Sequence, residues 1–569
     1  MQNKLVSFFF LICSFLFSQL ESNYSYQMKY GNGKQITLQA SDNPDTTNYS
    51  YIEHLLDINT YIGNNIYTFI QIEYSDPPIF GNNRNSLDSL VSTFYIEYLK
   101  DDYSIKLGDI YELYGRGLSF YTFQDQNIDY NNSIKGLSMY YYIKENIKLS
   151  GIIGTDKFTF RSLPSNRVAD FYFHTNIRFG SIDIESNSLG LIQAAYLSQD
   201  AFFPIENSNF INSQIELLCN GQNKIGQGLQ EIATEKTQSK TCVELGQYPY
   251  TVNSDNFNVN WNYFLGPIEV YIDKAWIYYD RIHYGKVFGS RFYSSIYTEV
   301  FDIGITYDFK NYYTPYLIKS MSNPPTVYRE SNSILASRNS HSINFGDEIG
   351  HQLDINKSIS NSIDLNMNIS LSYRHKIGYM NSISLIDVIT MNHNNKLYDY
   401  YPFRQLYFSL SGWTFKEKLY YKLGIDHFNE STLNSFGYSN KQISALTIPT
   451  QWVWKFNNNN SLTTYYEIQQ KIESQLDSDA NSLIDVSYDN SYISLSFSYK
   501  GKLIISGFYD KEIKKYDQMF SNDKSNYCPG IDLSYKLNPE TMVSIFYGSQ
   551  NGGLVCANGI CAEQPAFDN

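Results

Sequence analysis

Residues 361–374 read N-S-I-D-L-N-M-N-I-S-L-S-Y-R, and this stretch decides the class of fold. Apolar and polar residues alternate in it without exception from Ile363 to Arg374. Because successive side chains of a β-strand point to opposite faces, the strand would have one apolar and one polar face. Strands of soluble sandwiches usually need about five or six residues, whereas a strand that crosses a bilayer needs about 9 to 11. The alternation therefore favours a transmembrane β-barrel with an apolar outer face and a polar lumen.

Two other stretches repeat this pattern and are predicted to be strands of the same wall. Residues 492–500 place Ile493, Leu495, Phe497 and Tyr499 against the serines between them. Residues 171–179 place Phe171, Phe173 and Ile177 against His174, Asn176 and Arg178. We predict that each polar set faces the lumen.

The composition of the 569-residue chain agrees with a barrel and argues against nucleic acid as a partner. The chain contains 53 Tyr and 36 Phe but only 5 Trp. Tyr suits a strand that meets lipid with its ring and water with its hydroxyl, although a compositional bias of the source proteome would also explain the excess. The net charge is -14, and a phosphate-binding surface would need clustered Lys and Arg.

The N-terminus has the pattern of a signal peptide. Lys4 precedes the apolar run 5–17, and polar residues follow at Ser18 and Gln19. This run is shorter than the roughly 20 residues of a spanning helix, and no later run reaches that length. We therefore predict a signal peptide over residues 1–19 and a single outer-membrane barrel over residues 20–569, in a Gram-negative-type bacterium. Membrane residence would have to be through strands.

Turn residues divide the chain into hairpins with about eleven short turns. They are predicted near 63–65, 100–102, 144–146, 180–181, 266–267, 310–311, 360–362, 416–418, 457–460, 500–502 and 538–540. Longer connections alternate with them, which is the layout of barrels with short periplasmic turns and long extracellular loops. With the segment 26–39, an all-β, antiparallel up-and-down barrel of about 22–24 strands is expected.

The end of the sequence predicts a seam in that barrel. Residues 542–548 rise from a short turn into a loop, and the chain then ends at Asn569 without a returning strand. We therefore expect either a seam between 542–548 and 26–39 or direct pairing of these two strands in an awkward register, and we interpret the last strand as missing. An unpaired strand edge in lipid would cost several kcal/mol for each unsatisfied backbone group, by general estimates.

The most unusual stretch is 108–136, which is the candidate functional site. Gly115 and Gly117 permit positive φ on both sides of Arg116, and Asp125 and Asp129 lie within reach of its guanidinium in sequence. One interpretation is an inward-folded constriction in which Arg116, Asp125 and Asp129 line a pore. The other is a structural fold-back in which Arg116 satisfies carbonyls or acids and contacts no solute.

This stretch also carries a resemblance. The runs G-D-I-Y at 108–111, Y-G-R-G-L at 114–118, Asp125 and D-Y-N at 129–131 resemble a family of uncharacterised porin-like outer-membrane proteins of Bacteroidota-type bacteria. Residues 547–561, Y-G-S-Q-N-G-G-L-V-C-A-N-G-I-C, are similar to the C-terminal signature of that family. The resemblance implies an outer-membrane barrel, and it implies no solute and no functional residues.

Five cysteines follow the predicted signal peptide: Cys219, Cys242, Cys528, Cys556 and Cys561. Disulfides are expected over metal in an oxidising envelope. We predict a Cys219–Cys242 bond within the longest loop. Cys556 and Cys561 flank a tight turn and suit a local bond, but Cys528 is a rival partner for either of them.

Two functions from different classes remain open, and neither is enzymatic. No G-x-S-x-G or H-E-x-x-H motif occurs, so no catalytic residue, metal or cofactor is predicted. The first function is an outer-membrane pore for small hydrophilic solutes whose loops constrict the lumen. The alternative is a structural or secretion-machinery component that binds envelope proteins through long loops such as 198–254. A soluble secreted β-protein is the third interpretation.

Overall fold

The computed structural model describes most of the chain after the predicted signal peptide. The described residues are 20–37, 45–76, 91–126, 130–160, 171–203, 250–281, 285–314, 321–331, 333–339, 341, 347–360, 362–375, 402–433, 440–477, 482–516, 524–557, 560–564 and 566–568. Residues 1–19 lie outside this set, so the signal peptide stays a prediction. No helix among the described residues is long and apolar enough to cross a membrane.

The described elements are almost all strands. In chain order they are β1 (Leu20–Thr37), β2 (Asp45–Ile62), β3 (Ile66–Asp76), β4 (Val91–Lys100), β5 (Tyr103–Ile110), β6 (Leu113–Tyr114), β7 (Phe120–Tyr121), β8 (Gln124–Asp125), β9 (Tyr130–Asn131), β10 (Ile134–Lys144), β11 (Ile147–Phe160), β12 (Phe171–Ser186), β13 (Gly190–Phe203), β14 (Tyr250–Leu265), β15 (Ile268–Arg281), β16 (Gly285–Val300), β17 (Ile303–Tyr313), helix α1 (Ile334–Ser337), β18 (Asp347–Ser360), β19 (Ile363–Tyr373), β20 (Phe403–Thr414), β21 (Leu419–Leu433), β22 (Asn440–Asn457), β23 (Asn460–Asp477), β24 (Ser482–Tyr499), β25 (Leu503–Tyr516), β26 (Lys524–Asn538), β27 (Thr541–Gly548), β28 (Gly553–Ala557), β29 (Ile560–Gln564) and β30 (Ala566–Asp568).

The long strands form one antiparallel up-and-down sheet. Within the described residues the sheet has 24 strands, including the short β30, and each long strand pairs with the next long strand along the chain. From β5 the sheet passes directly to β10, and the short pairs β6–β7 and β8–β9 lie outside it. The predicted class of fold and number of strands are confirmed.

Two of the predicted short turns are in the wrong place. Strand β12 runs through 180–181, and the turn lies at 187–189; strand β17 runs through 310–311, and the turn lies at 301–302. At the second of these turns Phe301 and Asp302 have φ of 53° and 59°. This left-handed pair closes a two-residue hairpin loop without glycine.

The outer face of the wall is apolar, and polar residues join its aromatic residues toward the long loops. Tyr196, Phe257 and Trp276 are exposed and lie opposite one another on β13, β14 and β15. The next outward positions toward the long loops include Arg178 and Asp255. Exposed Tyr278 lies in the same row as Asp255, and exposed Phe202 lies beyond it toward the long loop. Polar and aromatic residues are thus mixed at this level, as expected near the interface of a bilayer with water.

Strand β12 contradicts one prediction about the lumen. Ile177 is 1% exposed and Phe179 is buried against Phe120 of the segment that follows β5, so these apolar residues face inward. The Arg178 side chain, by contrast, is 68% exposed on the outer face. The prediction that the polar set of β12 faces the lumen is therefore wrong. The inner wall is apolar here because it packs against an inward-folded loop.

The segment after β27, predicted to be a loop without a returning strand, instead contains the short strands β28, β29 and β30. Within the described residues β27 pairs with β26, and no ladder joins β27 to β1. Strand β1 pairs with β2 along its whole length, and its other edge pairs with β30 at Lys34, Gln35 and Ile36. The interpretation of a missing strand stays a prediction.

Candidate functional site

Two connections at the long-loop end fold into the lumen. We call the described residues 111–126 and 130–133, between β5 and β10, inner loop 1, and the described residues 321–331, 333–339 and 341, between β17 and β18, inner loop 2. Inner loop 1 contacts wall strands from β3 to β16, and inner loop 2 contacts wall strands from β16 to β25. Their contacts thus extend over most of the inner wall.

The Gly108–Asp109 pair fixes the start of inner loop 1. Gly108 has φ of 119°, and a Cβ there would lie 2.2 Å from the carbonyl oxygen of Phe94. Asp109 Oδ2 accepts a hydrogen bond from the Phe94 amide at 2.8 Å, and its Oδ1 accepts one from Ser133 Oγ at 2.7 Å. The carboxylate therefore joins both ends of inner loop 1 to the edge of β4.

Apolar packing then holds the middle of inner loop 1 on the inner wall. Phe120 stacks on Phe179 with ring centres 4.6 Å apart, and Tyr114 meets the same ring edge-on at 5.4 Å. Leu118 is buried with Tyr271, Tyr312 and other residues of β15 to β17. Burial raises the pKa of the Tyr114 hydroxyl well above its ordinary value.

The turn at Gly115 to Gly117 places Arg116 over aromatic rings. Gly115 and Gly117 have φ of 58° and 83°, as the sequence predicted for these hinge positions. The Arg116 amide donates to Asp273 Oδ2 at 3.4 Å, and its guanidinium carbon lies 4.9 Å from the centre of the Tyr271 ring. Arg116 itself is exposed. A guanidinium above an aromatic face is attracted by the ring quadrupole.

The hairpin that contains Asp125 and the turn that contains Arg116 contact different strands of the wall. Asp125 lies in the β8–β9 hairpin, where the neighbouring Gln124 donates to Gln71 of β3 at 2.7 Å. Arg116 packs against Tyr271 of β15, which is many strands away from β3 in the sheet. The acid beside Arg116 is Asp273, which belongs to the wall. Asp129 lies outside the described residues. A role of Arg116, Asp125 and Asp129 in lining a pore stays a prediction.

Inner loop 2 is held across the lumen by carboxylates of the wall. The Arg329 guanidinium contacts Asp426 of β21 at 3.4 Å, and Arg338 forms an ion pair with Asp510 of β25. At the start of α1, the Ile334 and Leu335 amides donate to Glu467 of β23 at 2.8 and 2.6 Å. Hydrogen bonds to charged groups are stronger than neutral ones, so these contacts fix the loop.

The end of inner loop 2 lies between two buried glutamates. His341 Nδ1 lies 2.7 Å from Glu430 Oε1, and Nε2 lies 3.1 Å from Glu348 Oε1. The ring stacks on Phe403 with centres 4.0 Å apart. Burial by itself would lower the pKa of His341, but the two glutamates outweigh burial and hold the pKa of His341 above its ordinary value. The protonated form is therefore favoured, and it pairs with both acids.

One wall residue, Arg291 of β16, joins the two inner loops. Its Nη1 donates to the Leu118 carbonyl of inner loop 1 and to Ser322 Oγ of inner loop 2, both at 2.7 Å. The loops also bond directly, from the Tyr121 amide to the Met321 carbonyl at 2.7 Å and from the Asn323 amide to the Gly117 carbonyl at 3.2 Å. The described parts of the two loops thus form one connected body.

Sequence reasoning missed inner loop 2, which it treated only as a long connection. A signal was present, because the short stretch 329–341 contains Arg329, Arg338 and His341 in a chain with a net charge of -14. Glu348, one of the acids that receive these groups, is seven residues from His341, but Asp426, Asp510 and Glu430 lie on distant strands. Local spacing gives no indication of those pairings.

The cysteine predictions are only partly within the described residues. Cys219 and Cys242 lie outside them. Cys556 and Cys561 lie directly opposite each other in the β28–β29 ladder. Cys528 is buried, and its thiol donates to Asn551 Oδ1 at 3.2 Å. The predicted disulfides stay predictions.

Several solved outer-membrane proteins are similar to this chain at low identity. The copper transporter OprC has a TM-score of 0.40 and 7% identity over 96% of this chain and 79% of OprC. A mutant of the ferric enterobactin receptor PfeA from Pseudomonas aeruginosa has a TM-score of 0.41 and 9% identity over 96% of this chain and 79% of the receptor. A BenF-like porin from Pseudomonas fluorescens Pf-5 has a TM-score of 0.36 and 7% identity over 77% of this chain and 99% of the porin. Likeness at this level assigns no substrate to the chain.

Comparison by sequence gives a family. No curated protein matches the chain in sequence. The model of a family of unknown function, DUF6029, matches residues 1–197 and 299–568. Because these two stretches make up most of the chain, the protein belongs to the DUF6029 family of unknown function.

Proposed function

We propose that the protein is an outer-membrane pore for small hydrophilic solutes, and that inner loops 1 and 2 constrict its lumen. The observation that carries this proposal is an apolar outer face of the wall combined, on strands such as β19, with a polar inner face against which a loop is folded. On β19, Met367 is exposed among the apolar outward residues, whereas Asn368, Ser370 and Ser372 are buried beneath inner loop 2. This is the arrangement expected of a strand between lipid and a polar lumen.

The width of the barrel requires such a constriction. Barrels of 16 to 18 strands already leave an aqueous channel, so a wall of more than 20 strands would leak if nothing filled it. Inner loops 1 and 2 occupy that space. Arg116, exposed at the turn of inner loop 1, is our candidate for the residue that lines the remaining passage.

A structural component with a closed lumen is the second candidate. The observation that favours it is the connection between the loops through Arg291, because hydrogen bonds that join the two loops would hold a static plug in place. In this case the long loops would bind envelope proteins, and the lumen would carry nothing.

Conductance in planar lipid bilayers distinguishes the two candidates. We expect small channels for the full-length protein and a several-fold larger conductance for the double variant Asp426→Asn, Asp510→Asn, which weakens two ties of inner loop 2. The double variant Asp532→Asn, Glu540→Gln, outside these ties, is the matched control and should behave as the parent. Absence of channels in the parent and in the loop variant would contradict the pore and favour the closed component.

A further inference from the structure

We infer that the inner wall carries a binding site for guanidinium-type cations, formed by Gln405, Tyr407 and Asp426, which Arg329 fills in this structure. The inference deepens the proposed function and rests on it in one respect, namely that a solute would reach the site through the lumen. It assigns the pore a class of solute, which is one that carries a guanidinium group.

The contacts of Arg329 define the site. Its guanidinium carbon lies 3.3 Å from the centre of the Tyr407 ring, and Nη1 lies 3.4 Å from Asp426 Oδ2. Gln405, Tyr407 and Asp426 are 3%, 5% and 2% exposed. A planar cation that stacks on an aromatic face while its N–H groups donate to a carboxylate uses two interactions at once, and both strengthen when water is excluded.

The wall builds this site without help from inner loop 2. Tyr407 and Asp426 lie directly opposite each other in the β20–β21 ladder. Gln405, one inward position along β20, donates from Nε2 to Asp426 Oδ2 at 2.9 Å and so orients the carboxylate. Because strand backbone and a wall amide fix all three groups, the site keeps its geometry when Arg329 leaves it.

The site also has an acceptor that Arg329 does not use. Gln405 Oε1 is buried and has no hydrogen-bond partner among the described residues. A buried polar atom without a partner is costly, so it marks a place where a ligand gains a hydrogen bond. A free guanidinium group has N–H donors on three nitrogens, whereas the tethered group of Arg329 makes its one hydrogen bond here through Nη1.

The same combination of residues recurs where the other loop arginines lie. Arg116 lies over Tyr271 with Asp273 beside it, and Arg338 pairs with Asp510, which lies opposite Tyr492 in the β24–β25 ladder. Three arginines of the inner loops thus each contact a wall aspartate that has a wall tyrosine as a neighbour in the sheet. A wall that presents this pair repeatedly is suited to pass one guanidinium group from one position to the next.

Calorimetric titration of the purified full-length protein tests the site directly. The variant Arg329→Ala should bind guanidinium chloride at millimolar concentrations with saturation, and the parent, whose site is filled, should bind at least tenfold more weakly. The double variant Arg329→Ala, Asp426→Asn should lose the binding. Potassium chloride at the same ionic strength should give no saturable signal.

Several results would overturn the inference. The first is that Arg329→Ala shows no saturable binding of guanidinium. The second is that the double variant Arg329→Ala, Asp426→Asn binds guanidinium as well as Arg329→Ala does. The third is that potassium binds as well as guanidinium. Arg329→Met, which keeps the volume of the side chain, serves as a second vacated variant if Arg329→Ala does not fold. Since the measurement is binding and not conductance, a pore that conducts but binds no guanidinium refutes this inference alone.

Discussion

At the scale of one residue, the backbone conformation and surroundings of Gly108 explain why the G-D-I-Y run begins with glycine. Its φ of 119° lies outside the range that L side chains adopt with ease, and the Phe94 carbonyl occupies the place of a Cβ. We expect Gly108→Ala to destabilise the folded barrel by about 2 kcal/mol or more, because strain and a backbone clash act together. The free energy of unfolding by urea in lipid vesicles measures this.

The control for Gly108 is Gly151 of β11. The nearest atom to a Cβ at Gly151 is the Phe179 carbonyl oxygen at 3.9 Å, an ordinary contact. Gly151→Ala should therefore change stability little. Equal losses for Gly108→Ala and Gly151→Ala would show that the conformation of Gly108 is not the cause.

His341 makes the docking of inner loop 2 depend on pH. Its pKa is raised in the folded protein, so its stabilising contribution is complete below the ordinary value of about 6.5 and is lost as pH rises through the raised pKa. The groups around it are Glu348, which also binds Lys310, and Glu430. In bilayers we expect conductance to increase as pH rises above about 6.5.

The variant His341→Gln removes the titrating group and keeps a polar side chain. Its conductance should not change with pH over the same range. A pH dependence in this variant as steep as that of the parent would assign the effect to another group.

At the start of α1, inner loop 2 is held by a single wall carboxylate, that of Glu467. Glu467 is fully buried and accepts both amides at the start of α1. Hydrogen bonds to charged groups contribute about 1.5 to 3 kcal/mol. Glu467→Gln should therefore weaken the free energy that holds inner loop 2 on the wall by about the same amount. Faster proteolysis within 321–341 and a larger conductance are the expected results.

The exposed Glu540, in the turn before β27, provides the matched control for that substitution. Glu540→Gln should leave both the proteolysis of inner loop 2 and the conductance as in the parent. If Glu467→Gln also leaves both unchanged, Glu467 does not hold the loop.

The elements could be predicted from the sequence where the interactions that form them are local along the chain. Alternation and turn residues act locally, so strand type, strand number and most short turns could be predicted. The turn predicted at Gly180 was wrong because a glycine inside a strand has the same local pattern as one in a turn. The turn that contains Phe301 was missed because a left-handed phenylalanine contradicts residue preference.

The candidate site was predictable only where its partners are close in sequence. Gly115, Gly117 and Arg116 form a local motif, and the structure places both glycines in the expected conformation. The contacts that fix this turn come from Asp273 and Arg291, which are 157 and 173 residues away from their partners along the chain. Pairings over such distances depend on the order of strands in the sheet and not on spacing.

At the scale of the whole molecule, the outer face of the wall has an apolar band that faces lipid. Polar residues such as Arg178 and Asp255 lie nearer the long loops and face water. Leu495 is exposed within the band on β24. A Leu495→Arg substitution should cost about 2 to 4 kcal/mol of unfolding free energy in vesicles, as expected for a charge on the lipid face near the bilayer centre. Asn253→Arg, at the next exposed position beyond Asp255 toward the long loop on β14, should cost much less. Similar costs for both would contradict the assigned band.

The connection of the two inner loops through Arg291 has a kinetic consequence. Moving either loop breaks the bonds to the shared guanidinium and the two backbone bonds between the loops, so neither loop gains by moving alone. Opening should be cooperative, with two conductance levels and no stable level between them. Substituting Arg291 with methionine removes the shared guanidinium and leaves only the two backbone bonds between the loops, so single-channel records should then show sublevels between the two conductance levels.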